Sequence, residues 1–128
     1  KLVLKELPIL SKGAEEAARV ALAAKLQGKY WEVHRALLSM RGQANEQTAL
    51  AVAEKAGLDM AKLKTDMKGE TVTQEIARVR DLAQAMGIQG TPHFLIGDRT
   101  IAGAPQELLS IAAKHVEDIR KEGGCKVC

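Results

Sequence analysis

Cys125 and Cys128 are the only two cysteines of the 128-residue sequence. Cys-x-x-Cys is the spacing of thiol–disulfide exchange catalysts, which work through a thiolate and a mixed disulfide, so the pair is the candidate catalytic site. Its setting favours a second reading. The pair follows the end of a helical pattern and the flexible Gly123-Gly124 step, where the negative end of the helix dipole disfavours a thiolate. A solvent-exposed terminal dithiol or local disulfide is therefore the competing assignment. Two thiolates supply half of a structural zinc shell, and His34, His93 and His115 are dispersed, so no metal site is expected within one chain. Cys125-Lys126-Val127-Cys128 has the length of a prenylation box, but Lys126 is not aliphatic.

The second stretch with chemical content is Gly90-Thr91-Pro92-His93-Phe94-Leu95-Ile96-Gly97-Asp98. A proline leading a short apolar run into a Gly-Asp turn reads as the opening of an edge strand, where a missing N–H does no harm. His93 follows this proline and could tune a partner thiol electrostatically; packing within the strand is the plainer role. His34 and His115 fall on apolar helical stripes and read as packed histidines.

The elements that must carry these residues follow from periodicity. Leu2 to Leu7 alternates around Lys5 and ends at Pro8, which predicts a short strand. Ala14 to Gln27 predicts a helix with Ala17, Ala18, Ala21, Leu22 and Leu26 inward, stopped by Gly28. Lys29 to Met40 predicts a second, with Trp31, His34, Leu37 and Leu38 on one stripe and Tyr30 and Trp31 as anchors. Asn45 caps a third helix that ends at Gly57, and Asp59 caps a short fourth that buries Met60, Leu63 and Met67. Thr71 and Gln74 match a capping box, opening a helix with Val72, Ile76, Val79, Ala83 and Met86 inward. Strands over 93–97 and 100–102 form a hairpin. Pro105 takes the first position of a last helix, whose stripe is Leu108, Ile111, Ala112, His115 and Ile119.

Composition sets limits on function. The chain is 46% hydrophobic with only three aromatics, long enough for one domain with a core of small aliphatic side chains. Nineteen basic and sixteen acidic residues are mixed along the sequence for a net charge of +3, so no basic run recommends nucleic acid. No apolar stretch is long enough for membrane insertion, and no charged-then-apolar leader is present.

The order of a strand, five helices, a proline-led hairpin and a closing helix resembles the DsbA family. The wording of Lys5-Glu6-Leu7-Pro8-Ile9-Leu10, Gly28-Lys29-Tyr30-Trp31-Glu32-Val33-His34 and Gly87-Ile88-Gln89-Gly90-Thr91-Pro92 is similar to that of bacterial members. The resemblance covers residues 1 to 121. It implies an α/β fold: a thioredoxin-like sheet with an inserted all-α helical domain, incomplete at the N-terminus. In that arrangement residues 1–12 and 87–122 form the thioredoxin-like part, 13–86 the helical insertion and 123–128 a flexible Cys-containing tail. A family strand and a Cys-x-x-Cys helix start would precede the strand at 2–7. The resemblance therefore implies a neighbour for that strand from a missing N-terminal segment or a strand-swapped homodimer.

The resemblance also implies a function. The Thr91–Pro92 bond is expected to be cis, with Thr91, Pro92 and His93 forming the substrate-binding loop and Thr91 offering its backbone to an extended chain. Lys5 and Glu6 become candidates for proton transfer beneath a thioredoxin-type site, against a solvated strand edge. The implied activity is thiol–disulfide exchange on protein or peptide substrates in the periplasm or another extracytoplasmic bacterial compartment, with no cofactor; the family's nucleophile is expected from residues outside this sequence, with Cys125 and Cys128 as a relocated redox pair the alternative. The rival is a non-catalytic peptide-binding or assembly module that retains the proline loop.

Overall fold

The computed structural model describes residues 1–125. It divides into two compact units, residues 1–86 and the part that begins at Gly87.

The first unit holds five helices, α1 (Lys12–Lys25), α2 (Tyr30–Ser39), α3 (Glu46–Lys55), α4 (Met60–Asp66) and α5 (Glu70–Ala85). Ser11 starts α1 by accepting from the Ala14 N–H at 3.1 Å, with Glu15 in the first turn and Lys25 in the last, as the helix dipole prefers. Alanine dominates the inward side of α1, where Ala17, Ala18, Ala21, Ala23 and Ala24 are buried with Val20 and Leu22. Such short side chains let neighbouring backbones approach closely. Ala49 and Ala53 of α3 are fully buried in the same cluster, together with Val33 of α2, Leu63 and Met67 near α4, and Val72 and Ile76 of α5. At Gly13 the absence of a side chain matters, since a Cβ there would collide with the Ala44 carbonyl oxygen.

Polar ties fasten the segment before α1 to these helices. Lys5 pairs with Glu75 at 3.4 Å, Glu6 meets His34 at 2.9 Å, and the Pro8 carbonyl accepts from Arg80 at 3.3 Å. Arg80 and Arg19 share the Glu15 carboxylate, at 2.8 and 3.1 Å, joining α5 to α1.

The second unit is an antiparallel hairpin of β1 (His93–Ile96) and β2 (Arg99–Ala102), followed by α6 (Leu108–Lys121). The register runs from His93 opposite Ala102 to Ile96 opposite Arg99, and a bond from the Gly103 N–H to the Pro92 carbonyl at 2.9 Å extends the ladder past the strand. Arg99 clamps β2 to the end of α6 through Asp118 at 3.2 Å and Glu122 at 2.7 Å.

Several elements differ from the sequence-based expectation. Residues 2–7 form no strand; a strand is defined by a paired neighbour, and the sheet of the described residues has two strands only. Trp31 and Leu38 do not join the buried stripe of α2, since they are 51% and 75% exposed while Val33 is fully buried. The bulkiest side chains suggested the stripe, but it is the shorter Val33, on the opposite side of α2, that joins the core cluster with the alanines of α1. The capping box belongs to α3, where Asn45 and Thr48 exchange side-chain bonds, and not to Thr71, because α5 already begins at Glu70. Leu26 and Met86 fall at helix C-caps and are 46% and 45% exposed. Pro105 lies before α6, in the turn closed by its carbonyl and the Leu108 N–H at 3.0 Å. None of the residues of α6 is buried, His115 included, although no partner reaches its Nδ1 atom among the described residues.

Candidate functional site

Thr91, Pro92 and His93 come together where the chain enters β1. The Thr91–Pro92 bond is cis, as the sequence reading expects. Pro92 spends its carbonyl on the ladder to Gly103, whereas Thr91 is exposed and enters no hydrogen bond among the described residues. Its N–H and C=O are thus open to an extended chain. His93 is half-buried at the first ladder position.

In an antiparallel pair, alternate residues turn their backbone groups to the partner strand. Pro92, Phe94 and Ile96 face β2, which leaves the backbone of His93 and Leu95 on the outer edge of the hairpin. Thr91 and this edge form one continuous row of groups that a strand-like ligand can pair with.

Cys125 stands at the other end of the same hairpin. It is disulfide-bonded. A Cβ built on Gly97 of the β1–β2 turn would lie 2.8 Å from Ile119 Cδ1 and 3.4 Å from Cys125 Sγ. The segment is brought back there by Gly123 and Gly124, both at positive φ, and by a bond from the Gly124 N–H to the Ile119 carbonyl at 2.9 Å. From Gly97 to Pro92 the hairpin runs roughly 16 Å, taking about 3.3 Å per strand residue. The structure therefore does not join Cys125 to the Thr91-Pro92-His93 loop. Cys128 lies outside the described residues.

A second polar cluster sits in the helical unit. One oxygen of Glu6 accepts from the Tyr30 hydroxyl at 2.6 Å and lies 2.9 Å from His34 Nδ1, while the Tyr30 and His34 rings stack 5.2 Å apart. Burial, and then the hydrogen bond and charge of Glu6, push the Tyr30 phenol well above its usual range, so it stays a donor. Sequence reasoning named Glu6 and His34 separately but missed their union. The one local signal is the i, i+4 spacing of Tyr30 and His34, which puts both on one helix face. Glu6 is an acceptor here, so its hydrogen-bonding capacity serves the attachment of the N-terminal segment to α2. Lys5 is likewise engaged by Glu75.

Comparison with known proteins agrees with this architecture. The family described as the DSBA-like thioredoxin domain matches residues 2–110. The crystal structure of a thioredoxin-like oxidoreductase from Silicibacter pomeroyi DSS-3 superimposes with a TM-score of 0.86 at 43% sequence identity, covering 91% of this chain and 66% of that one. Among curated proteins, Na(+)/H(+) antiporter NhaA 3 of Salinispora tropica is 29% identical over 116 residues, which is 87% of this chain and 18% of the antiporter. Na(+)/H(+) antiporter NhaA 1 of Salinispora arenicola is 32% identical over 91 residues, 71% of this chain and 14% of the antiporter. The chain thus spans a minor part of each antiporter and just under two thirds of the solved oxidoreductase. No helix of the described residues is long and apolar enough to cross a membrane.

Proposed function

The chain belongs to the DSBA-like thioredoxin-domain family, and from that premise we propose that it takes part in thiol–disulfide exchange on protein substrates outside the cytoplasm. The fold is thioredoxin-like, mostly helical, with a small two-stranded sheet. The observation that carries the reading is the family match over residues 2–110 together with a solved oxidoreductase of the same fold at 43% identity. That relative is itself an oxidoreductase, which weighs against a purely non-catalytic peptide-binding module.

In this proposal residues 1–12 and 87–122 belong to the thioredoxin-like part and 13–86 to the helical insertion. Thr91, Pro92 and His93 hold the substrate, the open backbone of Thr91 pairing with an extended segment. Cys125 and Cys128 are the sulfurs of this chain available for exchange. A substrate thiolate attacks one sulfur of the disulfide, the S–S bond breaks, and a mixed disulfide forms as one thiolate leaves. A second substrate thiol then displaces the chain, so the substrate is oxidised to a disulfide and the chain is reduced to two thiols. Because Cys125 and Thr91 stand at opposite ends of the hairpin, docking at the loop and exchange at Cys125 are separate events on one substrate. An extracytoplasmic compartment suits the proposal, since disulfides persist there and family members generally act there.

The test is disulfide transfer from the oxidised chain to a reduced, unfolded protein, followed by alkylation and intact mass. Two thiols should appear on the chain as two vanish from the substrate, and Cys125→Ser should reduce the transfer to the uncatalysed background. Equal transfer by the native chain and Cys125→Ser would refute the role of this sulfur, and no transfer by either would refute the function.

A further inference from the structure

We propose that the outward face of α2, carrying Trp31, Arg35 and Leu38, is a docking stripe for an acidic, apolar peptide segment of a partner protein. Positions 31, 35 and 38 lie within about 60° of one another on a helix of 3.6 residues per turn. Trp31 is 51% and Leu38 75% exposed, while the opposite side of the helix buries Val33 completely. Single exposed apolar residues are ordinary on a protein surface. An indole and a leucine aligned along one helix face, with a guanidinium between them, form a continuous binding feature.

The stripe is ordered before any partner arrives. The His34 ring stacks against the Trp31 indole at 6.2 Å with 20° between planes, and the Arg35 guanidinium lies 5.8 Å from the indole centroid on the cation–π geometry. His34 is in turn fixed by Glu6 at 2.9 Å and by the Tyr30 ring at 5.2 Å. A preset aromatic anchor loses little rotamer freedom on binding, and tryptophan and arginine are the residues that most often carry binding energy.

Charge selects the occupant. Lys29 is paired with Glu32 at 3.8 Å on the flank of the helix, but Arg35 has no carboxylate partner among the described residues. With its Cζ over the indole at 5.8 Å, the Arg35 guanidinium keeps N–H donors that no carboxylate of the described residues occupies. One unneutralised guanidinium between two apolar anchors along about two turns of helix matches a segment in which apolar side chains flank a glutamate or aspartate. No sulfur takes part, so this inference stands independently of thiol exchange.

Trp31 is the only tryptophan of the chain, which makes its fluorescence a direct reporter. The probe is a capped, unstructured peptide of Leu, Glu and Gly, compared with the same peptide carrying Lys for Glu and with anionic phospholipid vesicles. The expected result is a saturable change in emission with the Glu peptide, no change with the Lys peptide, and affinity weakened at least ~10-fold in Arg35→Glu and in Leu38→Ser, with unchanged circular dichroism. An equal response to both peptides, no response to either, or a response to vesicles without one to the Glu peptide would overturn the proposal. The two peptide arms use the native chain, so they decide the matter even where a variant fails to fold.

Discussion

The Tyr30 hydroxyl and the Glu6 carboxylate share a 2.6 Å hydrogen bond that joins the irregular N-terminal segment to α2 across 24 positions of sequence. The same oxygen meets His34, so one carboxylate secures two side chains of the helix. Replacing Tyr30 by Phe leaves the ring in place and removes only the donor. Hydrogen bonds to charged groups contribute about 1.5–3 kcal/mol, so Tyr30→Phe should lower unfolding stability by about that amount in a urea titration. Tyr30→Phe and Glu6→Ala together should cost less than the sum of the single changes, because each removes the same bond.

Core and surface leucines of the helical unit should behave oppositely. Leu63 is fully buried, and Leu63→Ala leaves a cavity in the α1–α4 packing, which is expected to cost about 2–5 kcal/mol in the same titration. Leu38 is 75% exposed, and Leu38→Ala should change stability by less than about 0.5 kcal/mol.

Two glycine-to-alanine exchanges separate close approach from open space. At Gly13 the new methyl would run into the Ala44 carbonyl oxygen, forcing α1 away from the segment before α3. The expected loss is at or above the ~3 kcal/mol end of overpacking, with a lowered melting temperature. Gly90 has open space where a Cβ would stand, with nothing within 4 Å, and no positive φ, so Gly90→Ala should be neutral.

The hairpin turn has its own glycine requirement. Gly97 has φ +61, and a Cβ there would press on Ile119 at 2.8 Å and on Cys125 at 3.4 Å. Gly97→Ala is therefore predicted to speed amide exchange in β1 and β2 while α1 to α5 remain protected, as read by hydrogen–deuterium exchange of peptides from each unit.

Acid should loosen the link between α1 and α5. The hydrogen bond from Arg80, then that from Arg19, holds the Glu15 carboxyl below the usual carboxylate range, and Arg78 does the same for Glu75. A carboxylate with a lowered folded pKa stabilises the fold fully above its unfolded value, about 4.3, and that contribution fades as pH falls through the folded value. The urea midpoint should therefore drop between about pH 5 and pH 3. Glu15→Gln should flatten that drop; a variant with the native pH slope would show that Glu15 is not its source.

Local chemistry made much of this protein legible in one dimension. Asn45 and Asp59 cap their helices because their side-chain oxygens reach an N–H three residues on, a relationship internal to a single turn. The Thr-Pro step, the Gly-Asp turn and the inward positions Val72, Ile76, Val79 and Ala83 of α5 are of the same local kind. What depends on distant partners was not readable. Residues 2–7 have the alternation of a strand, but alternation cannot supply the neighbour that a ladder needs. Hydrophobicity put Trp31 inside, yet Val33 is the residue of α2 that is buried in the cluster with the alanines of α1, and the indole on the opposite side is half exposed. Spacing showed Cys125 and Cys128 as a pair and Thr91-Pro92-His93 as a loop. Only the fold of the hairpin and the left-handed glycines after α6 decided that Cys125 comes to the turn, a strand's length from Thr91. Sequence periodicity fixes which face of an element is apolar; which surface meets that face, and which side chains then share a site, is decided by the packing of segments far apart in the chain.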